Sequence, residues 1–161
     1  MSMKRILIIL IFAYSTILYS KENNLEISFK KGISLYKKAT CNSCHFWHAN
    51  GGNSHGGSAP SLRTTILSKS ELLTVIKCGR YGTNMPFFSR NYKIDKNCAY
   101  INTDINSSNK MLGLKGAILL REKEINYLVT FIKDEIQNKP LTKQFCIGYF
   151  NKNNSICEKL K

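Results

Sequence analysis

The sequence predicts an all-α fold, and three observations carry that expectation. Apolar residues recur with helical period in three segments. No segment alternates apolar and polar residues as a half-buried strand would. The pentapeptide Cys41-Asn42-Ser43-Cys44-His45 has the C-x-x-C-H spacing that attaches a c-type haem, so the helices are expected to enclose one covalent haem. In that chemistry each thiol adds to a porphyrin vinyl group and the adjacent imidazole becomes an axial ligand of the iron. Two other uses of the spacing are a zinc half-site and a redox dithiol. Zinc needs two further ligands at suitable spacing, and a redox dithiol belongs between a strand and a helix, a setting the sequence does not offer.

The elements follow in chain order. Lys4 and Arg5 precede the run Ile6-Leu7-Ile8-Ile9-Leu10-Ile11-Phe12-Ala13, and small or polar residues continue to Ser20. This is the form of a secretory signal peptide, expected to cover residues 1–20 and to direct the chain to the periplasm. The apolar run is shorter than the about 20 residues of a membrane span. A retained N-terminal anchor is the alternative, because Leu18 is large for its place in the cleavage site. Residues 21–140 have the length of one domain with a single modest core, and 141–161 read as an extension of it.

Phe29, Gly32, Ile33 and Tyr36 form one apolar stripe on a helix just before Cys41. A second helix starts at Ser68, where Ser68-Lys69-Ser70-Glu71 matches a capping box. Leu72, Leu73, Val75 and Ile76 supply its buried face, and Gly79 can close it in a left-handed conformation. The third runs from about Arg121 to Gln137 through Ile125, Leu128, Val129, Ile132 and Ile136, with Pro140 beyond its end. Segments 50–58 and 102–110 read as loops, and the tail shows no sustained period.

The formal charge is +14; Lys4 and Arg5 supply two of it, leaving +12 beyond residue 20. Such a balance favours acidic partners or anionic surfaces. Export and the haem motif argue against nucleic acid. Four cysteines remain outside the motif: Cys78, Cys98, Cys146 and Cys157. An even number in an exported chain points to disulfides with three possible connectivities. Loop length favours Cys78–Cys98 and Cys146–Cys157; free buried cysteines are the alternative.

From Ile27 to Ile136 the chain resembles class I c-type cytochromes. The residues that carry the resemblance are Gly32 and Tyr36 in the first helix, the motif at 41–45, Ala59-Pro60-Ser61-Leu62, the helix at 69–78, Met85-Pro86 and the closing amphipathic helix. The resemblance implies a cytochrome c domain over 21–140 in which the first and last helices cross, with Gly32 against Tyr127 or Phe131. It also implies that the Pro60 carbonyl accepts the ring N–H of His45, a bond that would fix the ring and make the ligand nitrogen more basic.

Met85 is the expected sixth ligand. It follows the second helix by a short Gly-containing segment, and Pro86 restrains the backbone beside it. Met111, in polar surroundings, is a distant second. His48, three residues after His45, falls on nearly the same side of a continuing helix, and His55 sits in a glycine-rich loop. Phe46, Trp47, Phe87, Phe88 and Tyr92 are expected to pack on the porphyrin. Arg63, Arg80 and Arg90 are candidates for pairing with its propionates.

The function expected from these residues is that of a monomeric, monohaem electron carrier. It is expected not to be an enzyme and to pass single electrons between redox proteins with acidic docking surfaces, for example from a periplasmic dehydrogenase towards a terminal oxidase. The alternatives are a haem enzyme or gas sensor with an open distal position, or a haem subunit of a larger respiratory complex.

Overall fold

A computed structural model describes residues 26–54, 57–80, 82–98, 114–152 and 154–160. The signal-peptide reading of 1–20, His55, the loop 102–110 and Met111 lie outside the described residues. Helix α1 covers 26–38, and a single turn, α2, covers Asn42–His45. The hairpin strands β1 (Gly52–Ser54) and β2 (Gly57–Ala59) follow, then α3 (Lys69–Cys78), β3 (Phe87–Ser89) and a 3-10 turn at Lys96–Cys98. Strand β4 (Lys115–Leu120) leads into α4 (Glu122–Phe131), which continues as a π-helical turn over Ile132–Ile136. Helices α5 (Lys143–Phe150) and α6 (Ser155–Glu158) form the tail.

The all-α expectation is therefore corrected. Among the described residues 49% are helical and 13% lie in strands. β1 and β2 are antiparallel, with Gly52 opposite Ala59, while β3 and β4 pair in parallel with an irregular register between Phe87 and Ser89. None of these strands alternates in burial over a readable length: β3 is buried at all three positions, and β1 and β2 are three residues each.

The helices form for the reasons their sequences state. Ser68 accepts the backbone N–H of Glu71, and the Glu71 carboxylate accepts the backbone N–H of Ser68 at 2.7 Å. Gly79 ends α3 at φ 74°, ψ −168°; its φ is positive as expected, but its ψ lies in the extended, glycine-only region and not in the left-handed helical one. In the last helix the Gln137 N–H reaches the Ile132 carbonyl at 2.8 Å, the i to i−5 bond of a π turn, where the sequence pattern implies an unbroken helix.

The main core joins Ile33 and Tyr36 of α1, Leu72 and Ile76 of α3, and Ile125, Leu128 and Val129 of α4, all buried. Gly32 admits the Phe131 ring: a Cβ there would overlap its Cδ2 and Cγ atoms. Of the two aromatics expected opposite Gly32, Phe131 takes the place. Tyr127 instead lies under the Lys31 ammonium, 3.8 Å from its ring centre.

The tail is more ordered than an irregular extension. Thr142 caps α5, Phe145 stacks edge-on against Phe29 at 5.7 Å, and Lys37 Nζ donates to the Tyr149 carbonyl. The disulfides Cys78–Cys98 and Cys146–Cys157 are both formed, as loop length favours. They point to an oxidising extracellular or periplasmic environment. Among the described residues no helix is long and apolar enough to cross a membrane.

Candidate haem site

The turn α2 places the motif side chains. Cys41 precedes it, and the N–H groups of Cys44 and His45 both reach the Cys41 carbonyl, at 3.3 and 2.8 Å. Residues three and four apart on a helical turn share a face, so both thiols and the imidazole are presented on one side. Cys41 and Cys44 are the two cysteines left free, and both are half-buried.

The turn ends abruptly. Phe46 has φ 59°, ψ 170°, a region almost reserved for glycine. Thr40 and Ala49, on either side, also have positive φ. Each such residue costs about 1 to 3 kcal/mol and persists only where its surroundings hold it. The buried Tyr36 does so from α1, its hydroxyl donating to the Phe46 carbonyl at 3.0 Å.

The chain then turns back through the β1–β2 hairpin and delivers Pro60 to the motif. His45 Nδ1 lies 2.9 Å from the Pro60 carbonyl oxygen, so the ring N–H donates there and Nε2 carries the free lone pair. Burial pushes the His45 pKa down and so favours the neutral imidazole that a metal ligand must be, while the Pro60 hydrogen bond opposes that shift. Burial also pushes the Cys41 thiol up to about 12, and it raises Tyr36 above its ordinary value, with Cys41 adding to the effect.

Arg63 follows Pro60 by three positions and is buried to 6% exposure. Its Nε donates to the His48 carbonyl at 2.7 Å, and its Nη1 to the Lys139 and Pro140 carbonyls at 2.9 and 3.2 Å. The guanidinium lies 4.7 Å from the Phe145 ring centre. Nη2 is buried with no hydrogen-bond partner. A buried orphaned donor on a cation is costly, and a carboxylate is the group that would satisfy it. Arg80 and Arg90 are exposed by comparison, and Arg90 Nε is used on the Leu119 carbonyl at 3.0 Å.

Met85 is half-buried and packs against the main core, as Cys41 does. Its carbonyl accepts the Arg80 N–H at 3.1 Å, and its own N–H donates to Thr83 Oγ1 at 3.2 Å. His48 is engaged otherwise: its Nδ1 accepts the Asn50 N–H at 3.1 Å and its ring stacks on Phe46 at 5.4 Å. The aromatics divide between several packing groups. Phe88 joins the main core, Phe87 packs with Tyr92, and Trp47 meets Tyr149 and Phe150 of α5 at 6.2 and 5.2 Å.

Sequence reasoning did not find the burial of Arg63 or the contribution of Tyr149. For Arg63 the sequence holds no signal, because its partners are backbone carbonyls up to 77 positions away. For the tail helix, Thr142 followed by Phe145, Cys146 and Tyr149 was a readable start and apolar face. Among the described residues no three His, Cys, Asp or Glu side chains cluster as a cation site requires. No protein-family model, curated protein or solved structure matches the chain.

Proposed function

We propose that the protein is an exported monohaem c-type cytochrome that carries single electrons between redox partners. The observation that supports this most is the His45 Nδ1 to Pro60 carbonyl hydrogen bond at 2.9 Å, formed beside two thiols that stay free while the other four cysteines pair. A redox dithiol does not require its neighbouring imidazole to be held in one orientation by a carbonyl, whereas an iron ligand gains from it. The orphaned Nη2 of Arg63 fits the same group, since haem bears two carboxylates.

Cys41 and Cys44 would hold the haem as thioethers, His45 would ligate through Nε2 and Met85 through its sulfur. The bound haem supplies an iron that cycles between ferrous and ferric states. Pro60 holds the His45 ring in one orientation and one tautomer, and Arg63 offers its free donor to a propionate. A thioether ligand favours reduced iron and raises the potential. His45 and Met85 would both be committed to holding the haem, so no substrate bond would be made or broken. The periplasm is the compartment proposed for the oxidised cysteines. The excess of lysine and arginine over acidic residues, +14 over the whole chain, favours acidic docking surfaces on the redox partners.

The chain matured in a host competent for haem attachment should gain the mass of one haem that acid-acetone does not extract. Met85→Ala should give a high-spin ferric spectrum, fast carbon monoxide binding in the ferrous state and a lower potential, with the haem still attached. Met111→Ala should leave the spectrum unchanged. If Met85→Ala changes neither spectrum nor potential, the ligand assignment is wrong, and a high-spin spectrum in the unaltered protein would favour an open-site enzyme or sensor.

A further inference from the structure

We infer that the Cys78–Cys98 disulfide is a positioning device for Met85: it closes the ligand loop into a ring and so governs how readily an outside ligand displaces the methionine from haem iron. The inference rests on the Met85 reading above and concerns what holds that side chain in place.

Cys78 is the last residue of α3, and Cys98 ends the 3-10 turn. Both are fully buried, and with Phe87 they form a small core of their own, flanked by Tyr92 and Leu119. Phe87 is two residues from Met85 and lies 4.3 Å from the Tyr92 ring, centre to centre. Beside the disulfide, Lys77 Nζ meets Asp95 Oδ2 at 2.6 Å and Glu122 Oε1 at 3.2 Å. The chain between these anchors folds back onto the helix end. A Cβ on Gly79 would lie 2.8 Å from the Met85 carbonyl oxygen and 2.9 Å from the Phe87 nitrogen.

Residues 79–86 have no helix or strand among those described, and local turn hydrogen bonds within 80–85 support their backbone between the anchors. Without the disulfide, Met85 would be held by its half-buried contact with the main core and by two turn hydrogen bonds. A broader set of loop conformations lowers the fraction with sulfur in place, and the apparent strength of ligation falls with that fraction. A disulfide with no exposed sulfur is shielded from thiol attack, so it acts as a fixed clamp and not as a redox switch.

The test uses the haem-loaded full chain in three forms: unaltered, Cys78→Ala/Cys98→Ala, and Cys146→Ala/Cys157→Ala. The readouts are the sulfur-to-iron absorption band of the ferric protein and the rate of carbon monoxide binding after ascorbate reduction. The first pair should weaken the band and bind carbon monoxide at least about tenfold faster, with haem retained. The second pair should keep both properties. An unchanged band and rate in the first pair overturns the inference, as does an equal change in the second. Should the first pair not accumulate, Cys78→Ser/Cys98→Ser, which keeps the side chains close in size and removes only the bond, takes its place with the same expectation; an unaltered band and rate there overturn the inference. An unaltered protein without the sulfur band removes the Met85 assignment itself, which separates that failure from failure of the clamp alone.

Discussion

The Cys78–Cys98 and Cys146–Cys157 rings use one covalent device on two kinds of chain. The first bond spans 20 positions and the second 11, and all four cysteines are fully buried. Inside the second ring, α5 runs to Phe150, Asn151 turns the chain at φ 56°, ψ 19°, and Asn154 caps α6 through the Ile156 N–H. That segment is held by its own backbone hydrogen bonds. Inside the first, the described residues form one three-residue strand, one 3-10 turn and a run of turns. A disulfide across regular structure adds stability to what already has a shape; across irregular chain it supplies the shape.

The largest expected effect is loss of either bond. Loop-closure entropy assigns about 3 kcal/mol to each ring, with the longer exceeding the shorter by only about 0.5 kcal/mol. Urea midpoints of the two Cys-to-Ala pairs should therefore be similar, while proteolysis should differ, with new cleavage sites between 79 and 97 in the first pair alone. Equal proteolysis in the tail would mean that α5 and α6 depend on their bond as much as the loop does.

Two glycines sharpen it next. Gly79→Ala, at φ 74° and facing backbone atoms of Met85 and Phe87, should cost about 2 to 3 kcal/mol, since neither the dihedral nor the backbone can give. Gly148→Ala meets the edge of the Phe29 ring instead. A ring can rotate aside, and alanine improves helix propensity by about 1 kcal/mol, so the net change should stay within about 1 kcal/mol. Thermal unfolding of both variants checks the contrast.

Glu124 serves as a control outside both rings. It meets Lys38 Nζ at 2.7 Å and the Arg121 N–H at 2.8 Å, tying α4 to α1. The Lys38 hydrogen bond, followed by that of the Arg121 backbone, lowers its pKa from 4.5 to about 2. A depressed carboxylate contributes stability that is complete above its unfolded value and is lost as pH falls through the folded one. Glu124→Gln should thus cost about 1 kcal/mol at pH 7, after allowance for solvent screening, and nothing below about pH 2. The variant should alter neither ring's proteolysis. Asp95→Asn should have the smallest effect on stability, about 0.5 kcal/mol and reduced by salt.

These contrasts follow the line between what the sequence made legible and what it did not. Helices α1, α3 and α4 were readable because Ile33 and Tyr36, Leu72 and Ile76, or Ile125 and Leu128 repeat a burial pattern within a few residues. The disulfides were readable because the favoured rings are local. The strands were not: Phe87, Phe88 and Ser89 are buried alike, so no alternation marks β3, and its partner β4 lies beyond residues 99–113. At the site, the motif and Pro60 stood in the sequence, but the hairpin that returns Pro60 to His45 did not. Arg63 looked like any surface arginine, because what buries it comes from residues 139, 140 and 145.

The order of the disulfide partners along the chain has a consequence for the route to the folded state. Cys78 meets Cys98 and Cys146 meets Cys157, so no bond crosses another and each cysteine pairs with its nearest neighbour in that series. In an unfolded chain the shorter rings also close at lower entropic cost, so chance and native pairing point the same way. Oxidation of these four thiols should then proceed without the slow reshuffling that crossed connectivities require. Air or glutathione oxidation of the reduced, denatured chain should yield these two bonds as the major products with no isomerase present; a scrambled mixture that needs one would show that folding, and not ring size, selects the partners.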